Sequence, residues 1–236
     1  MKKTLVLVGL LGLIGLCALS QYHYAFYYDI TGGQDVEINL LNPMFTTTRF
    51  AMTVYDAYGD QLWSMADSLE SAESGYVRLG DNVPYDDSAW GVVVVESNDR
   101  LIIGIEYLLD EQIISIDTVV TQVPALNSFE TYWLGTYYSQ VGTSETAFIV
   151  MNPWPVETTC TVAAYNSESV KVYERNVTLA AYESDYVDLT DVLGSSGLLW
   201  GLLDVTMQRQ AVVIALEYYG RGCSGLEIDN VTEYYY

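Results

Sequence analysis

The chain is short of the side chains that most enzymes and nucleic-acid binders need. It holds one His, three Cys and nine basic residues against 31 acidic ones. A lone imidazole, His23, gives little scope for a Ser-His-Asp or Cys-His arrangement, which needs an imidazole held beside its nucleophile. One His and so few Cys cannot fill the usual tetrahedral zinc sets. There is no Gly-rich loop of phosphate-cradling spacing. A duplex binder needs clustered Lys and Arg to displace counterions, and a formal charge of −22 repels phosphate instead. An anionic membrane surface is disfavoured for the same reason.

No apolar run reaches the ~20 residues of a comfortable membrane span. The one long run, Leu5 to Leu16, follows Met1-Lys2-Lys3 and precedes Ala18-Leu19-Ser20. A basic start, an apolar core and small residues at the cleavage positions read as an export signal over residues 1–20, with Gln21 as the mature start. A retained anchor is the alternative. Lipidation at Cys17 is the weaker one, because Leu16 stands where a small residue is expected. Loss of Lys2 and Lys3 leaves seven basic residues, a net charge near −24 and Lys171 as the remaining lysine. Export also suits Cys160 and Cys223, an even pair that can bridge in an oxidising compartment or stand as a core thiol and a loop thiol.

What the chain does have is a repeat. Asn42-Pro43 recurs 110 residues later as Asn152-Pro153. The same shift carries Tyr27-Tyr28 onto Tyr137-Tyr138, Glu73-Ser74 onto Glu183-Ser184 and Trp90-Gly91 onto Trp200-Gly201. One extra residue is then needed to place Glu106-Tyr107 on Glu217-Tyr218. A register held this long marks a duplication, with copies of domain rather than solenoid size. The expected layout is a first copy over 21–123 and a second over 124–236, joined near Gln122 to Ser128, where Pro124 interrupts the pattern.

Within each copy the apolar period is two. Phe50, Met52 and Val54 alternate, as do Cys160, Val162 and Ala164. Gly32-Gly33, Tyr58-Gly59-Asp60 and Asn98-Asp99 supply turn chemistry. No stretch carries a capped helical period. Leu62 to Glu73 could be argued as a helix, but its counterpart Val170 to Thr178 alternates, so both are strands. Ile116-Asp117-Thr118-Val119 resembles Ile228-Asp229-Asn230-Val231 and adds a final strand. The fold expected is all-β: two tandem antiparallel Ig-like β-sandwiches of seven or eight strands each.

Four sets of side chains are candidates for chemistry. Tyr27, Tyr28, Tyr137 and Tyr138 could stack on sugar rings or hold a partner, or fill cross-strand pairs. Asp81, Asp86 and Asp87 offer oxygen ligands to calcium, the one plausible cofactor, although their spacing is not that of an EF-hand. The recurring acids Glu73, Glu183, Glu106 and Glu217 could suggest a glycosidase pair. Recurrence puts the partners in separate modules, which argues against it. Asn176-Val177-Thr178 and Asn230-Val231-Thr232 match a three-residue glycosylation pattern of low specificity.

Asn-Pro after the first strands, the Val54-Tyr55-Asp56 strand with its Gly59 turn, Glu73-Ser74, and the run from Val95 to Ile103 together resemble sensory rhodopsin transducer-type β-sandwich modules and related secreted repeats. The resemblance implies an interaction role and carries over no ligand residue. Export and duplication set this chain apart from a cytoplasmic signalling module. The expectation is therefore a non-catalytic binding protein of the cell surface or periplasm, whose partner is a protein or a glycan. A structural protein that self-associates through strand edges is the alternative.

Overall fold

The computed structural model describes residues 22–84, 89–110, 112–119, 132–141, 144–193, 198–207, 209, 211–219 and 227–230. It is nearly all β, and every sheet is antiparallel. The chain divides into two compact units, the first made of Met1–Asp56 and Gln61–Ala125 and the second of Ala57–Asp60 and Leu126–Tyr236.

The first unit contains β1 (Tyr22–Asp29), β2 (Gln34–Leu41), β3 (Thr48–Asp56), β4 (Gln61–Leu69), β5 (Ser74–Arg78), β6 (Trp90–Ser97), β7 (Ile102–Leu109) and β8 (Gln112–Val119). They form two four-stranded sheets, ordered β1-β6-β3-β4 and β5-β2-β7-β8. The second unit contains β9 (Tyr132–Val141), β10 (Ser144–Met151), β11 (Thr158–Asn166), β12 (Lys171–Leu179), β13 (Ser184–Asp188), β14 (Leu198–Met207), β15 (Val212–Tyr219) and β16 (Glu227–Asn230). Its sheets are β9-β14-β11-β12 and β13-β10-β15-β16, the same order with each strand replaced by its counterpart. Strands two and five pair, as do three and six, as B–E and C–F do in immunoglobulin domains. The first and seventh strands stand elsewhere: the first lies beside the sixth and the seventh beside the second.

Alternation drives the packing. Val36, Ile38 and Leu40 are buried on β2, while the residues between them are partly open. In the second unit Phe148 and Val150 from one sheet and Cys160, Val162, Leu203 and Val205 from the other join one apolar cluster. Side chains such as Phe26, Ile38, Ile105 and Phe148 are fully buried, each contributing roughly 1.5–3 kcal/mol.

The repeat extends to irregular features. A bulge interrupts the β3–β4 register between Val54 and Tyr55, and the β11–β12 register between Ala164 and Tyr165. Next to it, a Cβ on Gly91 would meet the Tyr55 carbonyl oxygen at 2.6 Å, and one on Gly201 the Tyr165 oxygen at 1.9 Å. Glycine there lets the sixth strand close on the bulge. Ala72 and Tyr182, also 110 apart, share φ near +60°.

Asn42 explains why Asn-Pro recurs. It is fully buried, and its amide nitrogen lies 2.8–2.9 Å from the carbonyl oxygens of Thr46, Leu69 and Glu70. Its oxygen accepts from the Met44 N–H and the Thr48 hydroxyl, both at 2.9 Å. One side chain thus ties the β2–β3 loop to the end of β4. Asn152 repeats this with Val156, Leu179, Ala180 and the Trp154 N–H.

Three expectations need correction. The segment Leu189–Leu193 is a short helix, α1, where only strands and turns were expected. Asp188 caps it by accepting from the Thr190 N–H at 2.7 Å. The first unit has Gly80 at the matching position and makes only a turn, with the Asn82 and Val83 N–H groups donating to the Leu79 carbonyl. The second correction removes the extra residue. Gln34 pairs with Leu109 and Ser144 with Tyr219, so the 110-residue shift persists through β15 and Glu106 corresponds to Leu216, not Glu217. The final strand does carry its own shift, since Gly104 faces Thr118 and Ile214 faces Asn230. The expected linker, Gln122 to Ser128, lies outside the described residues. The third correction, to the aromatic residues, belongs with the candidate site.

Candidate functional site

Most residues singled out by the sequence serve the fold. Tyr27, Tyr28 and Tyr138 are core residues rather than surface platforms, with exposures of 3%, 0% and 0%. The Tyr27 ring stacks on Tyr107 at 6.4 Å between centroids. Its hydroxyl donates to Asp29, and its backbone oxygen accepts from the Tyr107 hydroxyl at 3.0 Å. The hydroxyls of Tyr28 and Tyr138 have no partner among the described residues. Burial pushes both phenols above their ordinary range, and at Tyr28 the nearby Asp56 and Asp29 push further. The signal missed was position: β1 is buried on both faces from Tyr24 to Tyr28, so crowded aromatics there mean packing. The Tyr137 side chain lies outside the described residues.

Cys160 is a free, buried thiol on β11 rather than half of a bridge. It sits in the apolar cluster opposite Val177 and Met207. Burial, followed by the charge of Asp185, pushes the thiol up to about 11, against a smaller lowering by Arg175. Cys223 lies outside the described residues. Asp81 occupies an exposed turn after β5, and Asp86 and Asp87 lie outside the described residues. Among the described residues no three His, Cys, Asp or Glu side chains are grouped closely enough to hold a metal ion. Glu73 and Glu183 recur because each closes a turn, accepting from the N–H of Glu70 and Ala180 at 2.6 Å. His23 stands across the ladder from Glu96, at 3.7 Å from its carboxylate.

Two depressions lie among the described residues of the first unit. One, of about 320 Å³, lies beside Asp35, Arg78, Gly80 and Asp110. Two of its charged groups are already engaged: Arg78 Nε donates to Asp35 at 2.6 Å, and Asp35 also accepts from the Val36 and Gly80 N–H groups.

The other is the better site. It is a hollow of about 420 Å³ on the outer face of β5-β2-β7-β8, floored by Gly75 and Gly104. Leu41, Tyr76 and Ile102 border it at 36%, 71% and 44% exposure. Asn39 and Ser74 add two polar groups. Strand register assembles it. Asn39 stands between Tyr76 and Gly104, and Leu41 between Ser74 and Ile102. The adjoining row runs Arg78, Glu37, Glu106, Ile116. Glycine at 104 therefore leaves a gap in an otherwise covered face. The sequence shows these residue types but not the pairing that gathers them.

In the second unit the same row reads Tyr186, Ile149, Ile214, Asn230. Ile149 stands where the first unit has Asn39 and Ile214 where it has Gly104, and both are buried, at 1% and 0% exposure.

No family model and no curated protein matches the chain. Among solved structures it is similar to a glycosyl hydrolase family 2 member from Bacteroides cellulosilyticus, at 11% identity and TM-score 0.18, covering 87% of this chain and 27% of the other. It is similar to Bacteroides uniformis beta-glucuronidase 2, at 11% and 0.19, covering 90% and 26%. A putative beta-galactosidase from Bacteroides fragilis gives 10% and 0.19, with 89% and 33% covered. The chain spans about a quarter to a third of their lengths, and likeness at this level carries no argument about fold or activity.

Proposed function

We propose that this is an exported, non-catalytic interaction protein whose two Ig-like sandwich modules act at the cell surface or in the periplasm. In this reading the first module binds a protein or glycan on the outer face of β5-β2-β7-β8. The observation that carries it is the hollow over Gly104, where the second unit carries a buried isoleucine at the matching position. Exposed Leu41, Tyr76 and Ile102 around a side-chain-free floor form a concave apolar patch with few polar groups, the usual make-up of a binding site. The non-catalytic part is supported by the single His, which faces Glu96 across the ladder, and by Glu73 and Glu183 being occupied in turns. The interaction role implied by the resemblance to sensory rhodopsin transducer-type modules points the same way.

The test is a glycan and peptide array probed with the chain lacking residues 1–20, beside Gly104→Ile. Ligands retained by the wild type and lost by the variant support the reading. Ligands held equally by both move the binding site elsewhere.

Self-association through the β8 edge is the second reading, favoured by Ile113 and Ile116 at 53% and 68% exposure. Sedimentation in dilute solution separates the two. A monomer supports ligand binding. Concentration-dependent oligomers abolished by Ile116→Lys support the structural role.

A further inference from the structure

We infer that the hollow seats an aliphatic side chain carried on a basic, extended segment of a partner protein. This rests on the reading of that face as the binding site and names its occupant. The first argument comes from the second unit, where the matching space is taken by Ile149 and Ile214 and buried almost completely. The matching positions therefore accept branched aliphatic carbon, and in the first unit Gly104 supplies none. The border agrees: Leu41 and Ile102 offer apolar walls, Tyr76 an exposed ring, and Gly104 leaves room for a side chain to reach the sheet.

The second argument is charge. Glu37 and Glu106 stand directly opposite one another on the same face, one row from the hollow. Like charges so placed repel, and a cation between them relieves the repulsion. Arg78 faces Glu37 and its Nε donates to Asp35 at 2.6 Å, so one guanidinium stands beside three carboxylates, those of Asp35, Glu37 and Glu106. The second unit has Ala147 and Leu216 at the two glutamate positions. The carboxylate pair and the hollow thus occur together and are absent together. A chain of formal charge −22 favours approach of a basic partner over an acidic one. A neutral sugar would find only Asn39 and Ser74 as polar side chains on the hollow itself.

The experiment measures fluorescence anisotropy of a labelled peptide of alternating Lys and Leu against the chain without residues 1–20, at low and high salt. A peptide of alternating Lys and Ser is the control, with cellohexaose and xylohexaose as competitors. The expected result is binding of the Lys/Leu peptide, weakened about tenfold by Gly104→Ile and severalfold by Tyr76→Ser. Glu37→Gln/Glu106→Gln should weaken it severalfold and flatten its salt dependence. Tyr76 is mostly exposed, so Tyr76→Ser keeps the test valid should Gly104→Ile not fold. Equal affinity for the Lys/Ser peptide, or no loss with Gly104→Ile and Tyr76→Ser, overturns the inference. So does the absence of peptide binding. Gly104-dependent binding of the oligosaccharides alone overturns it while leaving the binding-face reading intact.

Discussion

The two units share strand order, bulge, buried asparagine and closing glutamate, and differ on one sheet face. In the first unit that face is half open, with Glu37, Asn39, Gly104 and Glu106 along its centre. In the second, Ala147, Ile149 and Ile214 occupy three of the four positions and are buried. One end of each unit also diverges. The first unit closes it with the Arg78–Asp35 ion pair, and the second with α1, capped by Asp188 and tied to Gln140 through the Thr190 hydroxyl at 3.0 Å. The shared features are those the fold needs to close. The divergent ones lie where the fold is indifferent and a partner could be met.

Removing the shared asparagine should have the largest effect. Asn42→Ala leaves several buried carbonyls and one N–H unpaired and should destabilise the first unit by ~3–5 kcal/mol. Asn152→Ala should cost the second unit about 1 kcal/mol less, because its contact to Leu179 is 3.5 Å and the Thr158 hydroxyl has no partner among the described residues. Urea unfolding of each variant gives both numbers. Equal costs would show that the extra bond from Thr48 to Asn42 contributes nothing.

The glycines beside the bulges come next. Gly201→Ala and Gly91→Ala should each cost ~2–4 kcal/mol, the former more, since its Cβ meets the carbonyl oxygen at 1.9 Å rather than 2.6 Å. Thermal unfolding measures the order. The 150° φ of Gly91 works against it, and a reversal would rank backbone conformation above contact.

Tyr28→Phe and Tyr138→Phe should raise stability by about 1 kcal/mol each by removing an unpaired buried hydroxyl. A loss in either would reveal a water held at that hydroxyl.

The smallest effect is in pH. Burial raises the carboxyls of Asp185 and Asp204 above the ordinary 3.8, against lowering by Arg175 and Lys171 respectively. A raised native value means that the folded state holds the proton more tightly than the unfolded one. These groups therefore stabilise the second unit as pH falls through the raised value, with the full gain below 3.8. Asp185→Asn/Asp204→Asn should flatten that part of the pH–stability curve for the second unit. The first unit serves as the internal reference.

Much of the architecture could be read from residues alone. Alternation in Phe50, Met52 and Val54 and a shift of 110 give strands and duplication, and the likeness of Ile116-Asp117 to Ile228-Asp229 gives the last strand. The role of Asn42 could not be read, because an Asn-Pro pair looks the same whether its amide faces water or three carbonyls. The tyrosines misled because hydroxyl-bearing rings are compatible with either environment, and burial depends on what covers a strand. Glu106 and Glu217 misled because matching side chains suggested a gap that the backbone pairing does not contain. The hollow needs the β5-β2-β7 register, which brings residues 39, 76 and 104 into one row; no local pattern encodes that.

The identical strand order of the two units also bears on how the chain reaches its native state. Tandem domains with one topology can exchange equivalent strands as they fold. Here β1 and β9 hold the same place, each sitting beside the sixth strand of its own unit. The central pairs discourage the exchange. Ala25 faces Val94 and Gly135 faces Asp204, so a swapped β1 would set Ala25 beside a carboxylate and a swapped β9 would set bare backbone beside Val94. At this pair the drift between the two copies thus makes each first strand fit its own sheet better than the other's.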